Sequence, residues 1–164
     1  MFNPSVYIAS LSDHNQGDLV GDWFEVTGDE SELMESIQSV LSQSLKPNAE
    51  EWGFFDYDNM PCLGEYADVS EVCEVAKFIL EQGDIARFTL SYTSTVSDAK
   101  EMAERYLTTC DSLADYLHEV MSGCIDIPDF LAGYIDYKSM ARDALINGDY
   151  EVIQYDREVM IFHR

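Results

Sequence analysis

Residues 1–76 contain 16 carboxylates and a single base, Lys46. Residues 77–164 add 16 acids but eight bases, so the net charge is −15 in the first part, −8 in the second and −23 in all. The first half is almost pure anion between its apolar positions. Charge of this size opposes the compact state through self-repulsion. It also argues against binding free nucleic acid or an anionic membrane, whose phosphates it would repel. The partner such a surface suits is cationic: a basic protein, a metal, or a groove built to hold DNA.

The remaining composition, 46% hydrophobic and 12% aromatic, is that of a folded protein. The length fits one domain or two or three small ones. The opening "MFNPSVYIAS" has neither a basic nor an apolar export region. No stretch approaches 18 apolar residues, so no membrane span is expected. Cys62, Cys73, Cys110 and Cys124 form no C-x-x-C pair, and reduced thiols in a cytoplasm are the expectation.

Pattern along the chain predicts an α+β fold. Strands are expected over 5–11, 19–26 and 51–58, with a turn over 12–18. A helix is expected over 29–45, opened by a capping box of Asp29 and Glu32, with Leu33, Ile37, Val40 and Leu41 on one face. Further helices are expected from Asp68 to a stop at Gly83, from Asp84, over 95–107, over 111–123, and from Asp136 to Ile146. Residues 150–162 read as a closing hairpin turning near "YDRE". Gly53, Gly64, Gly83 and Gly148 read as turn and cap glycines. The order suggests two or three small lobes, divided as an N-terminal α+β lobe (1–60) built on an antiparallel sheet, a central helical lobe (61–107) and a C-terminal lobe of helices with a β-hairpin (108–164).

Few motifs survive inspection. "DYDNMPCLGE" (56–65) starts like a calcium loop, but Met60 sits where an oxygen ligand belongs and Pro61 replaces the glycine. His14, His118 and His163 are far apart and belong to no metal pattern. No nucleophile elbow, P-loop or dinucleotide fingerprint is present. Adjacent carboxylates such as Glu50–Glu51 arise easily among 32 acids and say little about catalysis. No enzyme activity, cofactor or metal is expected. The runs "WGFFDY" and "YIDY" lack the basic groove that accompanies base stacking, and suit core packing or subunit contact better.

Three blocks then stand out together. "FLAGYIDYKSMARDAL" (130–145) resembles the signature region of the ArdA family of antirestriction proteins. "VYIASLSDHNQGDLVGDWFEV" (6–26) is similar to the family's opening, a Tyr-led strand, a turn and a Gly-x-Trp strand. "EEWGFFDYDNMP" (50–61) resembles its aromatic-Asp-Tyr-Glu-Gly block, with Asp58-Asn59 in place of Glu-Gly. "LGEYADVSEVCEVAKFI" and the terminal hairpin also fit, so the likeness covers essentially the whole chain.

The resemblance implies a non-enzymic, elongated, three-lobed homodimer that imitates bent B-form DNA. It implies occupation of the DNA groove of type I restriction-modification enzymes, at the methyltransferase core, and protection of incoming conjugative DNA. It does not imply direct binding to nucleic acid. Two chains would carry −46, comparable to the phosphates of roughly 23 base pairs. The acidic surface expected to do this comprises Asp13, Asp18, Asp22, Glu25, Glu50, Glu51, Asp56, Asp58, Glu65, Asp68, Glu71 and Glu74. Asp111, Asp115, Asp126 and Asp129 continue it. The signature segment is expected to form the dimer contact through Leu131, Tyr134, Asp136, Tyr137 and Arg142, with Arg142 pairing a nearby acid to hold its lobe. The same aromatic residues serve equally well as that lobe's own core. Two other classes compete: an acidic adaptor or chaperone for basic DNA-binding proteins, and a hydrolase using paired carboxylates in a pocket.

Overall fold

A computed structural model describes residues 3–44, 46 and 49–164. The chain divides into two compact units, Met1–Lys100 and Glu101–Arg164. Both combine helices with a three-stranded antiparallel sheet, and the fold is α+β.

In the first unit, β1 (Ser5–Ser10) lies between β2 (Gly21–Glu25) and β3 (Trp52–Asp58). A four-residue helix, α1 (Leu11–His14), fills what the sequence reads as a plain turn. Alternation along β1 sends Val6 and Ile8 inward and leaves Ser5 and Tyr7 half-buried on the other face. The inner face is covered by α2 (Glu30–Ser42) and α3 (Val69–Gln82). Leu33, Ile37 and Val40 of α2 meet Val6, Ile8 and Phe54 of the sheet and Val72, Cys73 and Ala76 of α3 in one core. The expected apolar face of α2 is the one buried, with Leu41 at its margin.

Only half of the expected capping box forms. Asp29 accepts from the Ser31 and Glu32 amides at 2.8 and 3.4 Å. The Glu32 carboxylate instead accepts from the Thr27 hydroxyl at 2.6 Å. Asp68 stands at the N-cap of α3 but its side chain accepts no hydrogen bond there. Gly83 ends α3 with φ +59° and leads straight into α4 (Asp84–Tyr92). The helix α5 (Val96–Glu104) contains the point where the two units divide.

Gly53 is a strand residue rather than a turn glycine. A Cβ there would lie 3.0 Å from the Glu65 side chain, because the loop after β3 folds back onto it. The Phe54 amide donates to Glu65 O at 2.9 Å, and the Tyr57 hydroxyl donates to Gly64 O at 2.6 Å. Burial pushes the Tyr57 phenol well above its ordinary range.

The second unit has strand order β4-β6-β5, with β4 (Tyr106–Cys110), β5 (Tyr150–Tyr155) and β6 (Glu158–His163). Between β4 and β5 lie α6 (Leu113–Cys124), the single turn α7 (Asp129–Ala132) and α8 (Tyr137–Asn147). Leu113 and Leu117 of α6, Ala141 of α8 and Ile161 of β6 form its core. The expected hairpin is present, with Tyr155 paired to Glu158 and Asp156 at φ +54°. Tyr106–Cys110 is a strand where the sequence reads helix up to residue 107 and no strand beyond. Its β-branched Thr108 and Thr109 pair with Ile161 and Met160, far along the chain.

Candidate functional site

The solvent face of the first sheet gathers acids from both edge strands. Ser5 at the start of β1 is the Cα partner of Glu25 on one side and of Asp58 on the other. Tyr7 is likewise the partner of Trp23 and of Asp56. Glu25, Asp56 and Asp58 are exposed. Two strand spacings separate the edges, so the face is about 10 Å across, and positions two apart along β3 repeat about every 7 Å.

A bulge makes this register possible. Between Tyr7 and Ile8 the pairing jumps from Asp56 to Phe54, leaving Phe55 as the extra residue. Phe54 is therefore buried while Asp56 and Asp58 both face water. Phe55 packs on His14, ring centroids 4.4 Å apart.

Amides hold the outermost carboxylates. The Asn3 side chain donates to Glu25 Oε2 at 3.1 Å, and the Asn59 side chain donates to Asp58 Oδ2 at 2.8 Å and to Asn3 O at 3.2 Å. Asn59 has φ +59°. Asn is among the residues that most readily take the place of Gly in left-handed geometry, so Asn59 can turn the chain here. The acid beside it stays on the open face.

The other expected acids fall into four groups. Asp22, Glu50, Glu51, Asp68, Glu71, Asp111, Asp115, Asp126 and Asp129 are exposed, and Glu65 is half-buried beneath its loop. Asp18 and Glu74 are exposed but ion-paired, Asp18 to Lys46 at 2.9 Å and Glu74 to Lys100. Asp13 does not belong to a surface at all. It is 2% exposed, and its carboxylate accepts from the Ser10 hydroxyl at 2.6 Å. Hydrogen bonds from Ser10 and Ser44 hold its pKa below the ordinary carboxylate value. The α1 turn, invisible in the sequence, draws Asp13 inside.

The signature segment also divides. Leu131 and Tyr134 are exposed, Tyr134 at 87%, alongside Phe130 at 72%. Tyr137 packs against the core of the second unit and meets His118 edge-on at 4.9 Å. Asp136 caps α8, accepting from the Ser139 amide at 3.0 Å and hydroxyl at 2.7 Å, and these bonds lower its pKa. Arg142 pairs with its own neighbour, Asp143, at 3.6 Å, both about two-thirds exposed. An exposed pair between adjacent residues contributes little to stability by itself, and Arg142 also acts electrostatically on Asp136 at the start of the same helix.

A cleft of about 400 Å³ lies along α3, lined in part by Glu30, Cys73, Glu74, Lys77, Phe78 and Lys100. Lys100 lies 6.0 Å from the Phe78 ring centroid. Burial, then Glu30 and Asp29, push the Cys73 thiol up to about 11, so it stays protonated near neutrality. Among the described residues, no group of three or more His, Cys, Asp or Glu is arranged to hold a metal ion, and no helix is long and apolar enough to cross a membrane.

The structure is an α+β chain whose first sheet turns an anionic face to solvent. Residues 6–158 match the antirestriction protein (ArdA) family, and the chain belongs to that family. Its function is therefore antirestriction, and the family's partners are restriction enzymes. A comparison with curated proteins returns no match.

Proposed function

We propose that the chain acts as a mimic of bent B-form DNA, entering the DNA groove of type I restriction-modification enzymes at the methyltransferase core. The observation that carries this reading is the outer face of the first sheet. There Glu25, Asp56 and Asp58 stand at fixed spacings on two strands, two of them fastened by asparagine amides. A groove that neutralises phosphates would neutralise such an array, releasing its own counterions and drawing the protein in through the long-range field. Because phosphate contacts carry no sequence information, one mimic could block enzymes that recognise different sequences.

The exposed acids Asp22, Glu50, Glu51, Asp68, Glu71, Asp111, Asp115, Asp126 and Asp129 extend the charge beyond that face in this reading. Two copies act together as a homodimer, joined through the signature segment by Leu131 and Tyr134. In support, these side chains and Phe130 leave large apolar area in water within five residues. The direct test is cleavage of unmodified DNA by a purified type I enzyme. Inhibition relieved by excess specific duplex supports the reading. Inhibition that duplex does not relieve moves the assignment to an acidic adaptor acting elsewhere on a basic partner.

A further inference from the structure

We propose that the aromatic pair on the acidic sheet face, Tyr7 and Trp23, is a binding surface for arginine side chains of the partner protein. This rests on the reading of the sheet face as the surface that enters a basic groove, and adds what that surface selects. Tyr7 and Trp23 are paired across β1 and β2, with ring centroids 5.7 Å apart and planes at 61°. Rings inclined in this way set the edge of one against a face of the other, and Trp23 still keeps 45% of its surface exposed.

A large indole left in water on a sheet face is otherwise costly. Here it sits in a particular setting. Tyr7 has Asp56 as its partner on the far side, while Glu25 lies two residues from Trp23 along β2 and Asp58 two residues from Asp56 along β3. Glu25 and Asp58 are held in place by amide hydrogen bonds. Gly21 makes room at the upper end, where a Cβ would come within 2.9 Å of the Tyr7 hydroxyl oxygen. The result is an aromatic floor edged by carboxylates.

Arginine fits this combination better than lysine. Its planar guanidinium stacks on an aromatic face and still presents N–H groups at its edge to a carboxylate. Lysine offers a compact, strongly hydrated charge that gains less from the ring. A phosphate backbone supplies only the carboxylates' counterpart, so the aromatic pair gives this chain a contact that charge alone lacks. That contact removes no charge when deleted and contributes little to the salt dependence.

The test uses the full-length protein and two probes of equal charge, hexa-arginine and hexalysine, at matched salt. Binding is followed by the fluorescence anisotropy of dye-labelled peptides, so that the Trp23 variants are read on the same scale as the wild type. Hexa-arginine is expected to bind about three- to tenfold more tightly than hexalysine. Trp23→Ala should bring the two peptides to parity, and Trp23→Phe should keep part of the preference. Equal binding of the two peptides by the wild type, or a preference that Trp23→Ala leaves intact, would overturn the proposal. Glu25→Gln and Asp58→Asn should each weaken both peptides and reduce the salt slope, whereas Trp23→Ala leaves that slope unchanged. An arginine preference that depends on Trp23 supports the surface even if no type I enzyme is inhibited, a result that would sink the mimic reading alone. Inhibition of the enzyme that Trp23→Ala leaves untouched, with peptide parity in the wild type, would sink this proposal alone.

Discussion

Glu25 and Asp58 are both Cα partners of one residue, Ser5, so the two carboxylates face water from opposite edges of a three-stranded sheet. Each is fastened by an asparagine, and the Asn59 amide that binds Asp58 also binds the backbone of Asn3, whose side chain binds Glu25. The spacing of negative charge on this face is therefore set by strand pairing and not by the wandering of long side chains. Such preorganisation lowers the entropy that binding must overcome.

Charge distributed in this way should fail gradually. Neutralising one exposed acid, as in Asp56→Asn or Glu71→Gln, is expected to weaken inhibition modestly and reduce the salt slope by about one unit. Removing a base should do the reverse, because Lys100 and Lys46 mask Glu74 and Asp18. Lys100→Gln is expected to inhibit at least as well as the parent. Inhibition constants across a salt series check both, and abolition by any one neutralisation would contradict distributed charge.

The Gly-x-Trp stretch has a steric reason. A Cβ at Gly21 would sit 2.6 Å from Ile8 O, 2.9 Å from the Ala9 Cβ and 2.9 Å from the Tyr7 hydroxyl oxygen. Gly21→Ala must part β1 from β2 and also displace the Tyr7 hydroxyl. Urea unfolding is expected to show a loss of about 1–3 kcal/mol, the usual range for overpacking. An unchanged midpoint would mean that the strand gives way freely.

Tyr134 and Tyr137 should separate assembly from stability. Tyr137 packs on the second unit's core, and its change to Ala is expected to cost about 2 kcal/mol. Tyr134 is 87% exposed, and its change to Ala should leave unfolding within about 0.5 kcal/mol. Tyr134→Ala combined with Leu131→Asp is expected to convert a dimer to a monomer by light scattering. A double variant that remains dimeric would place the interface elsewhere.

Asp13 links the fold to acid. Its folded pKa is lowered, chiefly by the Ser10 hydroxyl, so it stabilises the protein above the unfolded carboxylate value of about 3.9. That contribution is lost as pH falls through the folded value. Asp136, lowered by Ser139, acts in the same direction. Asp13→Asn should therefore lose less stability than the parent between about pH 5 and pH 3. Parallel pH profiles for the two proteins would contradict this role for Asp13.

Much of the architecture is legible in the sequence because it rests on local pattern. The face formed by Leu33, Ile37 and Val40 follows helical spacing, and the closing hairpin follows its turn residues. What escapes has causes that spacing does not carry. β4 is five residues long, follows directly on a helix and exists only by pairing with a strand some fifty residues later. Asp13 looks like every other acid until α1 turns it inward. Gly53 resembles a turn glycine, yet its reason is the approach of Glu65. The aromatic residues of the signature segment look alike in sequence, and only packing separates Tyr137 from Tyr134. Most of the expected acids are exposed, and in residues 1–76, where 16 carboxylates share a single base, few partners exist for them to be buried with.

The central claim is tested most directly by equilibrium competition. A purified type I enzyme is bound to labelled specific duplex and titrated with this protein at several salt concentrations. DNA mimicry predicts that duplex is displaced competitively, with no ternary complex, and that the protein's own affinity falls steeply as salt rises. A stable complex of enzyme, duplex and protein, or an affinity indifferent to salt, would contradict it.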